Sequence, residues 1–494
     1  MDCCFTIALR EHGLITTLTT TPIGQEDDGR LIYSMKLHFL EFSTGKVHPK
    51  ARDNHIFFMN THNEEPMAFM QVVGEYLTLI CSLDNGTDDC ILVLNWQTNE
   101  VKMRWLAPHG NYLGHRFLTT NLLLFANKHD LTLDIFRIPS KPGFTTPTPI
   151  LVLHLPQLSE GFPVESFHLC IKPNPGSSPP QQLCDENEPN TSTRSYLAKA
   201  DNAIFIFRLQ IYTTCFTFIV HRNALVDLVD RYGSEQDEAN NNRESESKNN
   251  AMETSLTTDE EEKGSNTSSS LTQHAPPSLP YASWGPDITR WFSSGRYVMV
   301  LSTWGQKHVQ ISHNFDDQGA SIRVLDFNPA SVQRFKAKEN RKEKTIDAEL
   351  PKQDGRITPD ADNGKATLID DKFASSSLQG LSPEMEDKDI TLVEEEIEAD
   401  SEEVQELNWE REDEHVLEEL GNPGKSRIWC VSSVDRVEPT AIFAEPVWCK
   451  LPYVASSSEN LYAFNDVIID EERILGLQKD FWGFLESIEI VHIG

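Results

Sequence analysis

An internal repeat constrains this chain more than any other feature of its sequence. Residues 37–47 read LHFLEFSTGKV and residues 91–101 read ILVLNWQTNEV, and the two align without a gap. Phe42 matches Trp96 at the end of an apolar run, and a Gly or Asn that can adopt positive φ follows each of them. A third partial copy, SIRVLDFNP, places Phe327 at the same aromatic position. The repeat predicts buried strands that end in an aromatic residue and a turn.

Short β-type runs continue through most of the chain outside the repeat. They include YLTLICSL from Tyr76, NLLLFA from Asn121 and AIFIFRLQIY from Ala203, and Gly, Asn, Asp and Pro separate them. No long stripe with a helical period intervenes, so the pattern predicts an antiparallel all-β protein. Because WD-type blades repeat a strand, an aromatic residue, a turn and a strand, the predicted fold is a β-propeller. A pair of β-sandwiches is the alternative.

Two segments lack the apolar residues that a folded core requires. Residues 233–280 are rich in Glu, Asn, Ser and Thr, and residues 336–427 begin with KAKENRKEK. Residues 384–420 alone contain eighteen acidic and two basic residues, a large part of the net charge of −33. Burial of so few apolar groups cannot offset the entropy lost on ordering the chain, so both segments are predicted to be long disordered acidic insertions.

The remaining sequence gives the expected domain organisation. Residues 1–232, 281–335 and 428–494 are predicted to be the first, middle and C-terminal parts of one WD-like propeller. Together they comprise 354 residues. A propeller blade takes roughly 40–50 residues, so about seven or eight blades are expected, in a complete or an incomplete ring.

Composition disfavours several classes of partner and compartment. The acidic net charge leaves no general basic surface for phosphate backbones or for an anionic membrane, so neither nucleic acid nor a membrane is an expected partner. The first residues lack the apolar core of a signal peptide, and no apolar run is long enough to span a bilayer. Without a secretory signal, an odd number of cysteines indicates reduced thiols and a cytoplasmic or nuclear protein. These cysteines are Cys3, Cys4, Cys81, Cys90, Cys170, Cys184, Cys215, Cys430 and Cys449.

The linear signatures of catalysis and cofactor binding are missing from the sequence. There is no G-x-G-x-x-G, no G-x-S-x-G and no H-E-x-x-H. GNPGKS at 421–426 is similar to the end of a phosphate loop, but Glu419 stands where that loop needs its first glycine. DNGTDD at 84–89 lacks the alternating oxygen ligands of a calcium loop and is interpreted as a hairpin turn. No catalytic, cofactor-binding or metal-binding residue is assigned, no cofactor is expected, and the chain is predicted not to be an enzyme.

Histidine and tryptophan residues are interpreted mainly as structural. His308 and His313 would point to opposite faces of one strand, which does not suit a shared metal site. Tryptophans at strand ends could form a recognition surface, but core packing is the preferred interpretation. These tryptophans are Trp284, Trp291, Trp304, Trp429, Trp448 and Trp482. Apolar residues that recur along the acidic segment from Ile390 could form an amphipathic helix, although a solvated insertion is preferred.

Several segments of the second half resemble a known family. LPYVASSS at 451–458, DVIIDEERILGL at 466–477 and the terminal IEIVHI resemble, in order and spacing, the C-terminal end of large basidiomycete F-box proteins. WGPDITRWF at 284–292 and VLDFNP at 324–329 resemble two further segments of that group. The resemblance implies a β-rich region that presents substrates to a cullin–RING ubiquitin ligase. The sequence begins with β-type runs and shows no F-box, so the resemblance does not extend to the Skp-type linker as a partner.

The sequence therefore predicts a non-enzymatic protein-binding platform. The resemblance implies, more specifically, the substrate-recognition region of an F-box-like ubiquitin-ligase adaptor. A protein partner is expected, but its identity and its binding residues are unknown. Two alternatives stay open. One is a propeller enzyme or small-molecule binder whose site converges from several blades. The other is a scaffold that acts through its acidic segments.

Overall fold

Most of the folded parts expected from the sequence are described by a computed structural model. The described residues are 3–27, 29–62, 66–82, 88–141, 147–176, 200–233, 275–294, 302–313, 320–349, 427–438, 440–470, 473–480 and 484–492. Residues 234–274 and 350–426, which make up most of the two predicted insertions, lie outside the described residues. The prediction of disorder therefore falls on residues outside that description, as does the GNPGKS sequence.

Antiparallel strands that follow one another along the chain form the first sheets. Sheet I contains β1 Cys3–Ala8, β2 Leu14–Gln25, β3 Leu31–Glu41 and β4 His55–Thr61. Sheet II contains β5 Ala68–Val73, β6 Tyr76–Ser82, β7 Asp89–Asn95 and β8 Glu100–Ala107. Sheet III contains β9 Tyr112–Phe117, β10 Leu122–Asn127, β11 Thr132–Arg137 and β12 Leu151–His154. Each of these sheets is a meander in which every strand pairs with the next one in sequence.

Later parts of the chain return to complete the next sheets. Sheet IV contains β13 Val164–Cys170, β14 Ile204–Ile211, β15 Thr214–His221 and β17 Thr289–Ser294, while β16 Ser278–Leu279 adds a parallel strand to sheet III. Sheet V contains β18 Ser302–Trp304, β19 Lys307–His313, β20 Ala320–Asp326, β24 Tyr453–Ser457 and β21 Arg427–Val431, in that order. Sheet VI contains β25 Asp466–Ile469, β26 Arg473–Lys479 and β27 Leu485–His492. A two-stranded sheet pairs β22 Asp435–Arg436 with β23 Trp448–Cys449.

Helices are few in the described part of the chain. They are α1 Leu9–His12, α2 Arg222–Tyr232, α3 Tyr281–Ile288 and α4 Pro329–Glu349, with 3₁₀ turns at Ala200–Asn202 and Thr440–Ile442. The protein is therefore mostly β, as predicted. The described residues contain six sheets of three or more strands, whereas about seven or eight blades were expected.

Apolar cores lie between consecutive sheets and connect them in chain order. The first core joins sheets I and II, the next joins II and III, and the largest joins III and IV. Two further cores join IV to V and V to VI. Most first strands of consecutive sheets are also neighbours. Strand β1 contacts β5, β5 contacts β9, β9 contacts β13 and β18 contacts β25. Between sheets IV and V, β18 contacts the second strand, β14, instead.

The repeat occupies one structural position in three different sheets. Phe42, Trp96 and Phe327 each follow the last residue of the third strand, in sheets I, II and V respectively. Their equivalence is therefore confirmed. Their burial differs, since Trp96 and Phe327 are fully buried whereas the Phe42 side chain is 48% exposed. Sheets I and II continue from this position into a turn with a positive-φ residue, Gly45 or Asn99.

Both insertions leave the sheets at this same connection. In sheet IV the third strand leads into α2, and in sheet V it leads into α4. Two parts of the predicted insertions are structured. Residues 275–280 contain β16, and residues 336–349 form the C-terminal part of α4.

The residues at the start of α4 explain why residues 336–349 are helical although they were predicted to belong to an insertion. Asn328 caps the helix through a hydrogen bond from the Ala330 amide to its Oδ1 atom, 2.9 Å long, and Pro329 occupies the first helical position. Contacts divide the chain into a compact unit of Met1–Ala337 with Leu407–Gly494, which holds all six sheets, and a second unit of Lys338–Glu406. The helical residues up to Glu349 are the described part of the second unit.

Candidate functional site

The candidate site lies where the first strands of sheets III and IV meet the start of sheet V. Strand β9 approaches β13 so closely that a Cβ atom at Gly114 would lie 3.0 Å from Cδ2 of Leu169. Sheet V is attached to this region through backbone hydrogen bonds. The Gly305 amide donates to the Lys172 carbonyl and the Ile204 amide donates to the Gly305 carbonyl, both at 2.8 Å. Strands of three sheets therefore bring their side chains together here.

Six side chains at this place form what is called here the basic cluster. Each lies within electrostatic reach of at least one other member. They are His115 and Arg116 on β9, His168 and Cys170 on β13, Arg208 on β14 and His308 on β19. His168 and Arg208 are direct cross-strand neighbours. The cluster contains arginine, histidine and cysteine but no carboxylate.

Arg116 supplies a half-buried positive charge to the cluster. Its Nη1 donates to the carbonyl oxygen of His115 at 2.7 Å. Within the described residues, no carboxylate lies at ion-pair distance from its guanidinium. Burial lowers the pKa of Arg116, and the nearby Cys170 thiol opposes that shift. The remaining guanidinium donors can therefore bind an added anion without first breaking an ion pair.

Burial keeps the histidines of the cluster neutral near pH 7. It lowers the pKa of His115 to about 3 and that of His308 to about 4. The pKa of His168 is lowered by burial and by the Arg208 charge. Nδ1 of His308 lies 2.9 Å from the Ser302 carbonyl oxygen, which orients the ring. The positive charge of the cluster at neutral pH therefore resides on its arginines.

The cysteine of the cluster is not activated as a nucleophile. Burial raises the pKa of Cys170, although the Arg116, Lys172 and Arg208 charges act in the opposite direction. A thiol in this state is protonated at neutral pH, whereas nucleophilic cysteines require a lowered pKa. The arrangement suits the binding of a negatively charged group better than covalent catalysis.

A network of side-chain amides holds the neighbouring strands in position. Nε2 of Gln71 donates to Oδ1 of Asn174 at 2.9 Å, and Oε1 of Gln71 accepts from the Phe117 amide at 3.2 Å. Nδ2 of Asn174 donates to the Val72 carbonyl at 3.2 Å. The network joins β5, β9 and the segment after β13. It therefore fixes the strand that carries Arg116 relative to the strand that carries Cys170.

The tryptophans considered from the sequence have different environments. Trp284 and Trp291 lie in the core, Trp304 and Trp429 are partly buried, and the Trp448 side chain is 46% exposed. Trp482 lies outside the described residues. Core packing is therefore the main role of this set, and Trp448 is its exposed member.

Other residues considered from the sequence have structural contacts. Asp89 accepts hydrogen bonds from the Gly110 amide at 2.8 Å and lies 2.9 Å from Nδ1 of His109, so it fixes a turn. Asp470 accepts from the Arg473 amide at 2.8 Å and pairs with the Arg473 guanidinium, so its contacts are structural. In the described part of the chain, no group of three or more His, Cys, Asp or Glu side chains is arranged to hold a metal ion.

Sequence reasoning did not find the basic cluster, because its members lie in four separate strands. Each belongs to an ordinary β-type run, and no spacing in the sequence relates Arg116 to Arg208 or to His308. The one available signal was the presence of arginine and histidine inside otherwise apolar runs, such as AIFIFRLQIY. Arg208 in that run is 5% exposed. Buried arginines of this kind are uncommon unless they are paired or bind a ligand.

No protein-family model matches the chain, and no curated protein matches it. Within the described residues, no helix has the length and apolar character needed to cross a membrane.

Proposed function

We propose that the protein is a non-enzymatic protein-binding platform built on a β-propeller, in which each of the six sheets is a blade. The order of the sheets supports this fold, because consecutive sheets share an apolar core and most of their first strands are neighbours. The resemblance of residues 451–477 to F-box proteins adds a more specific role, as the substrate-recognition region of an F-box-like ubiquitin-ligase adaptor.

The basic cluster is the proposed contact site, and its ligand is an acidic protein segment. The observation that carries this proposal is the position of Arg116, which is half-buried beside other basic groups and has no carboxylate at ion-pair distance in the described residues. Arginine clusters recognise acidic motifs because a guanidinium forms two parallel hydrogen bonds with a carboxylate or phosphate. The partly buried His168, the cross-strand neighbour of Arg208, adds a donor and an acceptor for the same ligand.

Peptide binding to the full chain tests this function. Fluorescence anisotropy would compare a labelled oligoglutamate peptide with an oligoglutamine peptide of equal length. We expect only the acidic peptide to bind, and Arg116→Gln to weaken it about tenfold, which corresponds to roughly 1.4 kcal/mol. Arg427→Gln is the matched control, since Arg427 is exposed on the outer strand β21. Equal binding of both peptides, or equal effects of both variants, would contradict the proposal.

A small anion is the second candidate ligand. Histidines and arginines that converge from several strands into a buried place are also what a small-molecule site requires. Calorimetry with inorganic phosphate or citrate distinguishes the two candidates. If a small anion binds tightly and acidic peptides do not compete with it, the protein is a small-molecule binder rather than a protein-binding platform.

A further inference from the structure

Sheet I, the first in the series, has one apolar face that no other described element covers. Its opposite face packs against sheet II. The uncovered face carries Phe5 and Ile7 on β1 and Phe57 on β4, whose side chains are 65%, 48% and 56% exposed. Strand register places them on one face, because Phe5 pairs with Thr17, Ile7 pairs with Ile15 and Phe57 pairs with Lys36. We call this surface the sheet I face.

Sheet VI, the last in the series, has a corresponding face. Val467, Ile469 and Ile474 point toward sheet V and belong to the core between them. Ile488 and Ile490 of β27 lie on the other side of the sheet and are 54% and 51% exposed. Two partly buried residues, Ile468 and Leu475, are aligned with Ile490 across the three strands and extend the same surface. We call this surface the sheet VI face.

The four sheets between these two differ from them, because each has a core on both sides. Sheets II, III, IV and V all contribute to two of the five cores. The two sheet faces left without a core are therefore the ends of one series. Contiguous exposed apolar surface of this kind marks an interface.

We infer that the sheet I face and the sheet VI face pack against each other and close the series of six sheets into a ring. This inference rests on the propeller arrangement of the proposed function. The two faces belong to one chain, so their effective concentration exceeds that of a second copy.

Cross-linking tests which surfaces meet. Cysteines would replace Ile7 and Ile490, a short bis-maleimide would be added to the full chain, and mass spectrometry would identify the linked peptides. Closure predicts an intramolecular link between the two positions in the monomer. Ile7→Cys combined with Ile428→Cys is the matched control, because Ile428 is 57% exposed on β21 and lies outside both faces. A link found only between two molecules, or no link at all, overturns the inference.

A charge substitution provides an independent measurement. Closure predicts that Ile490→Glu lowers Tm by about 4 °C or more, whereas Ile428→Glu leaves it nearly unchanged. Equal Tm values for the two variants would show that Ile490 faces solvent and would overturn closure. A dimer that Ile490→Glu dissociates would assign the face to a second copy instead. Binding of the oligoglutamate peptide is measured separately, so an open series with intact peptide binding overturns the ring, and with it the propeller arrangement, while the protein-binding role stands.

Discussion

Arg290 is a buried side chain that joins β17 to the chain that follows the second insertion. Its guanidinium pairs with Asp435, and its Nε and Nη2 donate to the carbonyls of Leu451 and Ser433 at 2.9 and 3.0 Å. The side chain is 1% exposed and stacks over the Tyr453 ring at 5.6 Å. A single residue therefore donates to acceptors at three positions of a segment distant in sequence.

Removal of this side chain should destabilise the protein strongly. Arg290→Ala removes the ion pair of Asp435 and leaves two carbonyls without their donor, and we expect a loss of about 3–5 kcal/mol in the free energy of unfolding. Urea denaturation measures this loss in the free energy of unfolding. Lys450→Ala is the control, because the ion pair of Lys450 with Asp287 is exposed and should contribute less than about 1 kcal/mol. Similar losses for both variants would contradict the role of Arg290.

His308 should make stability depend on pH in the acidic range. Burial lowers its folded-state pKa to about 4, below the unfolded value of 6.5, so the folded state favours the neutral ring. The associated stability is present above pH 6.5 and is lost as pH falls toward 4, because only the unfolded state takes up the proton. The shift corresponds to about 3 kcal/mol.

The measurement is the free energy of unfolding between pH 7 and pH 4. His308→Gln should reduce its pH dependence by the amount given above. Identical pH profiles for the wild-type protein and His308→Gln would refute the assignment.

At the scale of elements, the residue that follows the third strand contributes differently to the free energy of unfolding in different sheets. Trp96 is fully buried between sheets I and II, and its Nε1 donates to the Gly74 carbonyl at 2.9 Å. Phe42 has the equivalent position in sheet I but is half-exposed. We expect Trp96→Ala to cost about 3–5 kcal/mol and Phe42→Ala less than about 1 kcal/mol. Thermal or urea unfolding of the two variants provides the comparison, and equal costs would contradict it.

Local sequence patterns predicted the strands but not all of their partners. YLTLICS and IFIFRLQI form β6 and β14 because their β-branched and aromatic residues suit buried strands. The pairing of β24 with β20 could not be predicted, since more than a hundred residues separate them and no local pattern records it. The mixed-charge run after Phe335 was assigned to an insertion, although Asn328 and Pro329 already form a helix start.

At the scale of the whole molecule, the two insertions interrupt the sheets without interrupting the cores. Each insertion leaves after a third strand, and the chain then returns to add an outer strand. Arg222, at the start of α2, holds a separate connection, the one between β13 and β14, by donating to the Ala200 and Pro173 carbonyls at 2.5 and 3.0 Å. These carbonyls flank residues 177–199, so a buried guanidinium holds both ends of that segment. The basic cluster, which has members from sheets III, IV and V, also depends on long-range assembly, and no sequence spacing relates its members.

Deletion of the C-terminal strand tests whether the last sheet is an integral part of the molecule. Strand β27 pairs with β26 along its whole length, and Val491 packs against the core between sheets V and VI. Deletion of residues 480–494 removes that pairing and exposes the edge of β26 together with its apolar residues Ile474 and Leu477. Unpaired edge strands with apolar side chains associate with other chains, so we expect a lower Tm and aggregation during size-exclusion chromatography. Deletion of residues 493–494 leaves β27 intact and should change neither property. If the longer deletion gave a monomer with unchanged thermal unfolding, sheet VI would be an appendage rather than the last member of the series.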